Sequence, residues 1–176
     1  MKKQDIYKSL VSQIKSNDSS SVVAAIKLTG FDSAYRAGLS CYKPIELINP
    51  NSETIENVQI MVKRSIIFLE IYGPKIKEGL TFEGGYTKVV SANDCDFLTN
   101  DTLRDFKVSK NKPKSEHTLQ LLVYWRLGLH SIHKSLFERV KYLGIFNPRL
   151  NCVYRIKVDD IPLDIIESVE KDVICY

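Results

Sequence analysis

The residues that could do chemistry lie close together in the chain. Asp96 opens a short apolar segment, Asp96-Phe-Leu-Thr, and eight residues separate it from Asp105, with Lys107 two positions on. A segment bearing Gln120 and Tyr124 follows. Along a strand, side chains two apart face the same way, so Asp105 and Lys107 share a face while Arg104, Phe106 and Val108 take the other. A hairpin at Asn100-Asp101 would bring Asp96 near Asp105. Two adjacent carboxylates repel each other unless a cation lies between them. Mg²⁺ suits such a place, because it takes one or two carboxylates together with water and substrate phosphate. The ion would polarise a phosphodiester and lower the pKa of its water. Lys107 could orient the attacking water or stabilise the developing charge. The main-chain carbonyl of Phe106 could add an oxygen ligand. Gln120 and Tyr124 stand four apart and share one helix face.

Chance alone would supply the triplet: 21 acids and 18 lysines in 176 positions give about two acid-x-Lys matches, and one occurs. Context lends it weight, since a second acid precedes it across a hairpin and a Gln/Tyr helix follows. The bland alternative is a surface strand with an Asp–Lys pair, and a Gln and a Tyr at a core boundary.

The block Cys95-Asp96-Phe-Leu-Thr, Arg104-Asp105-Phe106-Lys107 and Gln120-Leu-Leu-Val-Tyr124 resembles the PD-(D/E)XK nuclease superfamily, in particular its RecB-like branch. The five key positions match in order and spacing, over roughly 30 of the 176 residues. The resemblance implies an α/β fold, a mixed β-sheet core flanked by α-helices (restriction-endonuclease-like). It implies Mg²⁺ or Mn²⁺ held by Asp96, Asp105 and the carbonyl of Phe106, a catalytic Lys107, and Gln120 and Tyr124 beside the substrate. Two departures stand out. Cys95 replaces the usual Pro, and no spacing identifies the helix-borne acid the family usually adds. Glu70 is the first candidate for it and Glu56 the second. Asp94 could face the same way as Asp96, which would move the first acid by one pleat. The four cysteines, Cys41, Cys95, Cys152 and Cys175, are not grouped for an iron–sulfur cluster or a zinc ribbon. They read as reduced, mostly buried thiols.

The elements must position this block. The length suggests one domain, 1–176, with a helical part at about 1–79 and a catalytic core at about 80–158. Helical periodicity marks 5–15 and 55–72, the second with the stripe Ile55, Val58, Val62, Ile66 and Leu69 and with Glu70 at the edge of its buried face. Ser21 to Leu28 is ambiguous, and 30–50 reads as irregular. Strands are predicted at 81–90, 95–99 and 103–109, helices at 117–129 and 132–142, two further strands around Asn147-Pro148-Arg149, and a terminal helix at 161–173. Trp125, Tyr142 and Phe146 read as core. His117, His130 and His133 lack partners that would complete a zinc set.

Net charge is only +4, but Lys107, Lys110, Lys112 and Lys114 fall within eight residues. Lys110, Lys112 and Lys114 could contact a substrate backbone, as could Arg126 and Arg149. Equally, such a run could be a solvated loop. No apolar run approaches a membrane span, and the first residues lack a secretory signal, so a cytoplasmic location without membrane contact is expected. The expectation is a Mg²⁺-dependent nuclease acting on nucleic acid, DNA favoured. Its alternatives are an inactive nucleic-acid-binding or protein-interaction module of the same fold, and an RNA-cleaving enzyme. Cutting both strands of a duplex would favour a homodimer, and sequence specificity could come from a partner protein.

Overall fold

The computed structural model describes residues 3–176, without the side chains at positions 3, 36 and 37. The chain divides into two units, Met1–Ser65 and Ile66–Tyr176. The first holds helices α1 (Lys3–Gln13) and α2 (Ser19–Ala37) and the opening turns of α3 (Ser52–Tyr72). Asp18 caps α2 by accepting from the Ser21 amide at 2.8 Å. The Asn17 and Gln59 side chains each donate to the other's carbonyl, at 3.0 and 2.9 Å, and so tie the α1–α2 turn to α3. The irregular stretch predicted from residue 30 begins only after α2 ends at Ala37. Gly30 lies within α2 where the chain crosses close above it, and only glycine fits there: a Cβ would lie 2.4 Å from the Lys43 carbonyl oxygen.

The second unit is a mixed α/β fold, a five-stranded mixed sheet flanked by helices, with strand order β1-β2-β3-β4-β5. The strands are β1 (Lys77–Thr81), β2 (Asp94–Leu98), β3 (Thr102–Phe106), β4 (Tyr142–Asn147) and β5 (Cys152–Lys157). Only β3 and β4 run parallel. Their crossover carries α4 (Ser115–His130) and the short α5 (Lys134–Phe137). The chain closes with α6 (Leu163–Ser168), which continues as a π-helical turn over Val169–Ile174.

The sheet has an unlike core on each face. On one, Leu98, Leu103, Leu143 and Ile145 pack with Leu121, Leu122, Tyr124 and Leu127 of α4. On the other, Phe97, Phe106 and Phe146 receive Phe68 from the end of α3, with the Phe68 and Phe146 rings stacked at 4.2 Å. The expected stripe of α3 is not its buried face. Ile66 is 50% exposed, and the buried anchor is Phe68.

Two other expectations fail. The strand predicted at 81–90 lies earlier, at Lys77–Thr81, and 82–93 is a loop turned at Gly84 (φ 88°). This edge strand buries little, so its charged sequence carries no apolar signature. The predicted helix 132–142 shrinks to the four residues of α5, because Tyr142 already pairs with Thr102 in the sheet. Among the described residues, no helix is long and apolar enough to cross a membrane.

Candidate active site

The β2–β3 hairpin closes through the Thr99 amide, which donates to Thr102 O at 3.0 Å. Its register pairs Leu98 with Leu103 and Phe97 with Arg104. Period-two alternation then puts Asp96 and Asp105 on the α4 face, together with Leu98 and Leu103. Continuing that register would bond Phe106 to Cys95. Instead the strands part. Cys95 pairs with Leu80 of β1, and the Phe106 amide donates to Asp96 Oδ2 at 2.7 Å. Gly79, at φ 57°, lies opposite Asp96 between the paired residues Glu78 and Leu80, in a left-handed conformation that favours glycine. Because Lys107 N donates to Phe146 O of β4 at 3.0 Å, the preceding residue turns its N–H and carbonyl toward the β2 edge. The Phe106 carbonyl therefore points to the same edge as the Asp96 carboxylate.

Beside this opening, Asp105 is 5% exposed. Burial pushes its carboxyl upward, the neighbouring Lys107 opposes the shift, and the charge of Asp96 adds to it. Lys107 Nζ lies 3.0 Å from Asp105 Oδ2, and it donates to Gln120 Oε1 at 3.0 Å. The Lys107 ammonium is thus the counter-charge of that buried oxygen. Gln120 Nε2 donates to Tyr124 Oη at 2.6 Å. Burial raises the Tyr124 hydroxyl, and the charge of Asp105 acts the same way against the Gln120 hydrogen bond. One polar chain thus runs from Asp105 through Lys107 and Gln120 to Tyr124. Its helical half holds because Leu121, Leu122, Val123 and Leu127 are buried and fix the rotation of α4.

No family model, no curated protein and no solved structure matches this chain.

Asp96, Asp105, Phe106, Lys107, Gln120 and Tyr124 are brought together. Asp96 is the acid that reaches β3, while Asp94 pairs with Thr81 at the outer side of β2. Glu70 is not brought in. It is exposed on α3, whose end packs through Phe68 on the opposite face of the sheet. Among the described residues, no group of three or more His, Cys, Asp or Glu could hold a metal. Cys95 is buried, and burial, with Asp96 beside it, pushes its thiol up to about 12, so it belongs to the core. Arg126 is engaged elsewhere, with its Nε donating to Glu170 at 2.7 Å. Lys112 and Lys114 line a cavity of about 300 Å³ next to Lys107, whereas Lys110 is exposed outside that lining. A larger, apolar cavity of about 580 Å³ lies among α4, β5 and the terminal helix and contains none of the acids. The sequence reading missed Asn147 and the place of His117. Their roles depend on a loop contact that no motif announces.

Proposed function

We propose that this chain is a metal-dependent nuclease of the PD-(D/E)XK type that hydrolyses phosphodiester bonds in DNA. One observation carries the reading. Beyond Phe97 the β2–β3 ladder opens, and the Asp96 carboxylate spans the gap on the face where Asp105 and Lys107 stand. A structural Asp–Lys pair needs no such opening. The donor set fits a hard cation. It offers two carboxylates and one carbonyl, which is enough for Mg²⁺ or Mn²⁺ completed by water. Bound there, the ion would polarise the scissile phosphate and lower the pKa of an attacking water.

The chain's own residues supply the rest. Lys107, now the counter-charge of Asp105, places an ammonium where negative charge develops on the phosphate. Gln120 holds that ammonium in place, and Tyr124 holds Gln120. Two-strand cutting would require two copies of the chain, or two encounters, because one chain has one such site.

A second reading, nucleic-acid binding without catalysis, draws on the same ion pair: Lys107 already neutralises Asp105 without a metal. A cleavage assay separates the two. Single- and double-stranded DNA and RNA are incubated with Mg²⁺, Mn²⁺ or EDTA, using wild type, Asp105→Ala and Lys107→Ala. Cutting that needs the metal and is lost by about 10²-fold or more in both variants is expected. Binding by folded wild type without cutting under any condition would leave the second reading.

A further inference from the structure

The lysine loop after β3 is a pinned structure. Asn147, at the end of β4 and 1% exposed, donates from Nδ2 to Ser109 O at 2.8 Å and to Asn111 O at 3.4 Å. Its Oδ1 accepts from the amides of Arg149 at 3.0 Å and Leu150 at 3.1 Å. The Nδ2 end of the amide holds this loop over the end of β4, and the Oδ1 end holds the turn between β4 and β5. The loop forms one wall of the cavity of about 300 Å³, and the first turn of α4 forms the other. Three lysines line it, Lys107, Lys112 and Lys114, with one acid, Glu116, and the ammonium of Lys107 is already paired with Asp105. Glu116 stands 3.8 Å from Lys114 Nζ and 4.0 Å from His117 Nε2, so it balances only part of that charge.

His117 adds a directional donor. Its Nδ1 accepts from the Lys114 amide at 3.1 Å, so the neutral ring carries its proton on Nε2, and Nε2 donates in either protonation state. The volume is at the small end of ligand sites and the lining is polar, which suits a phosphate with its water better than a base. Lys107 belongs to both places. Its ammonium contacts Asp105, and its side chain lines the cavity.

We propose that this cavity holds a phosphate group of the nucleic-acid strand, the one flanking the phosphodiester at Asp105, with Lys112 and Lys114 as counter-charges and His117 Nε2–H as the directional donor. This rests on the nuclease reading for the identity of the strand. Such a site anchors the strand to one side of the reaction centre and sets the direction in which it crosses.

The test is binding of a labelled single-stranded DNA oligonucleotide to the full chain in EDTA, where no metal-dependent cutting occurs. The lysines are exposed, so Lys112→Ala/Lys114→Ala should fold as wild type does. Its affinity is expected to fall at least about tenfold at low salt, and the slope of log affinity against log salt to flatten by about 0.7, from one phosphate no longer neutralised. His117→Ala, at a pH where the ring is neutral, is expected to weaken binding about threefold with no change in slope. Affinity and slope equal to wild type in the double variant would overturn the proposal. Oligonucleotides with and without an end phosphate, and inorganic phosphate as competitor, distinguish the source. Affinity that drops with the end phosphate assigns a terminal monoester, and lysine-dependent affinity indifferent to it assigns an internal diester. Cleavage by wild type with Mg²⁺ is measured alongside. Cutting with unchanged binding by the double variant removes the cavity and keeps the nuclease, whereas lysine-dependent binding without cutting does the reverse.

Discussion

Asp105 and Arg104 are neighbours on β3, both buried, and they point to opposite faces of the sheet. Asp105 meets a counter-charge, Lys107, at an open strand end. Arg104, 1% exposed, lies against the stacked pair of Phe68 and Tyr72, 5.2 and 5.1 Å from their ring centroids, and its Nε and Nη1 have no hydrogen-bond partner. Burial, reinforced by the charge of Arg155, lowers its guanidinium to about 10. Burial is therefore common to both. What differs is whether the neighbours can exchange partners. A carboxylate held by a long, quarter-exposed lysine beside an opening can take a new ligand, while a cation packed against a pair of stacked rings in the core can only stay.

The largest expected effect breaks the first half of that contrast. Asp105→Asn should reduce metal-dependent cleavage by about 10²-fold or more. It should also change how stability depends on pH. Burial raises the Asp105 carboxyl, so the folded state binds this proton more tightly than the unfolded chain does. That contribution is complete below the unfolded value, near pH 4, and is lost as pH rises through the folded value. Denaturation midpoints followed from about pH 3 to 7 should fall for wild type relative to Asp105→Asn. A constant difference between them would mean that Lys107 cancels the cost of burial.

Arg104 is probed from the glycine opposite it. A Cβ at Gly144 would lie 2.8 Å from Arg104 Nη1 and 3.3 Å from Thr102 Cγ2. Gly144→Ala should cost about 1–3 kcal/mol in chemical denaturation, and Arg104→Met in the same chain should restore most of it. Arg104→Met alone should leave stability equal to wild type or higher, because an unpaired buried cation is replaced by an apolar side chain. A loss above about 1 kcal/mol would show that the two rings outweigh its desolvation. The smallest effect sharpens the α4 side. Tyr124→Phe removes the acceptor of Gln120 Nε2 and should cost about 1 kcal/mol in denaturation experiments.

Much of the site was legible because its constraints are local. Alternation on β3 placed Asp105 with Lys107, and helical spacing placed Gln120 with Tyr124. The hairpin at Asn100-Asp101 brought Asp96 across. Glu70 was misread for a non-local reason. Helical periodicity shows that α3 has a face, but the aromatic side of the sheet selected Phe68 as the anchor and turned Glu70 to solvent. Strand β1 escaped notice because an edge strand with one buried leucine needs no alternation. Asn147 carried no signal, since its bond to Ser109 spans 38 positions.

The amino-acid sequence by itself determined which chemical groups share a face within β2, β3 and α4, because backbone geometry sets those periods over a few residues. Only the tertiary structure decided that the β2–β3 ladder stops at Phe97, that Lys107 bonds Gln120, and that Asn147 shapes the lysine loop into a cavity. Each of these depends on a strand or helix arriving from elsewhere in the chain: the Asp96 side chain takes the Phe106 amide where the ladder stops, α4 carries Gln120 to Lys107, and β4 lies parallel to β3 and carries Asn147 to the loop.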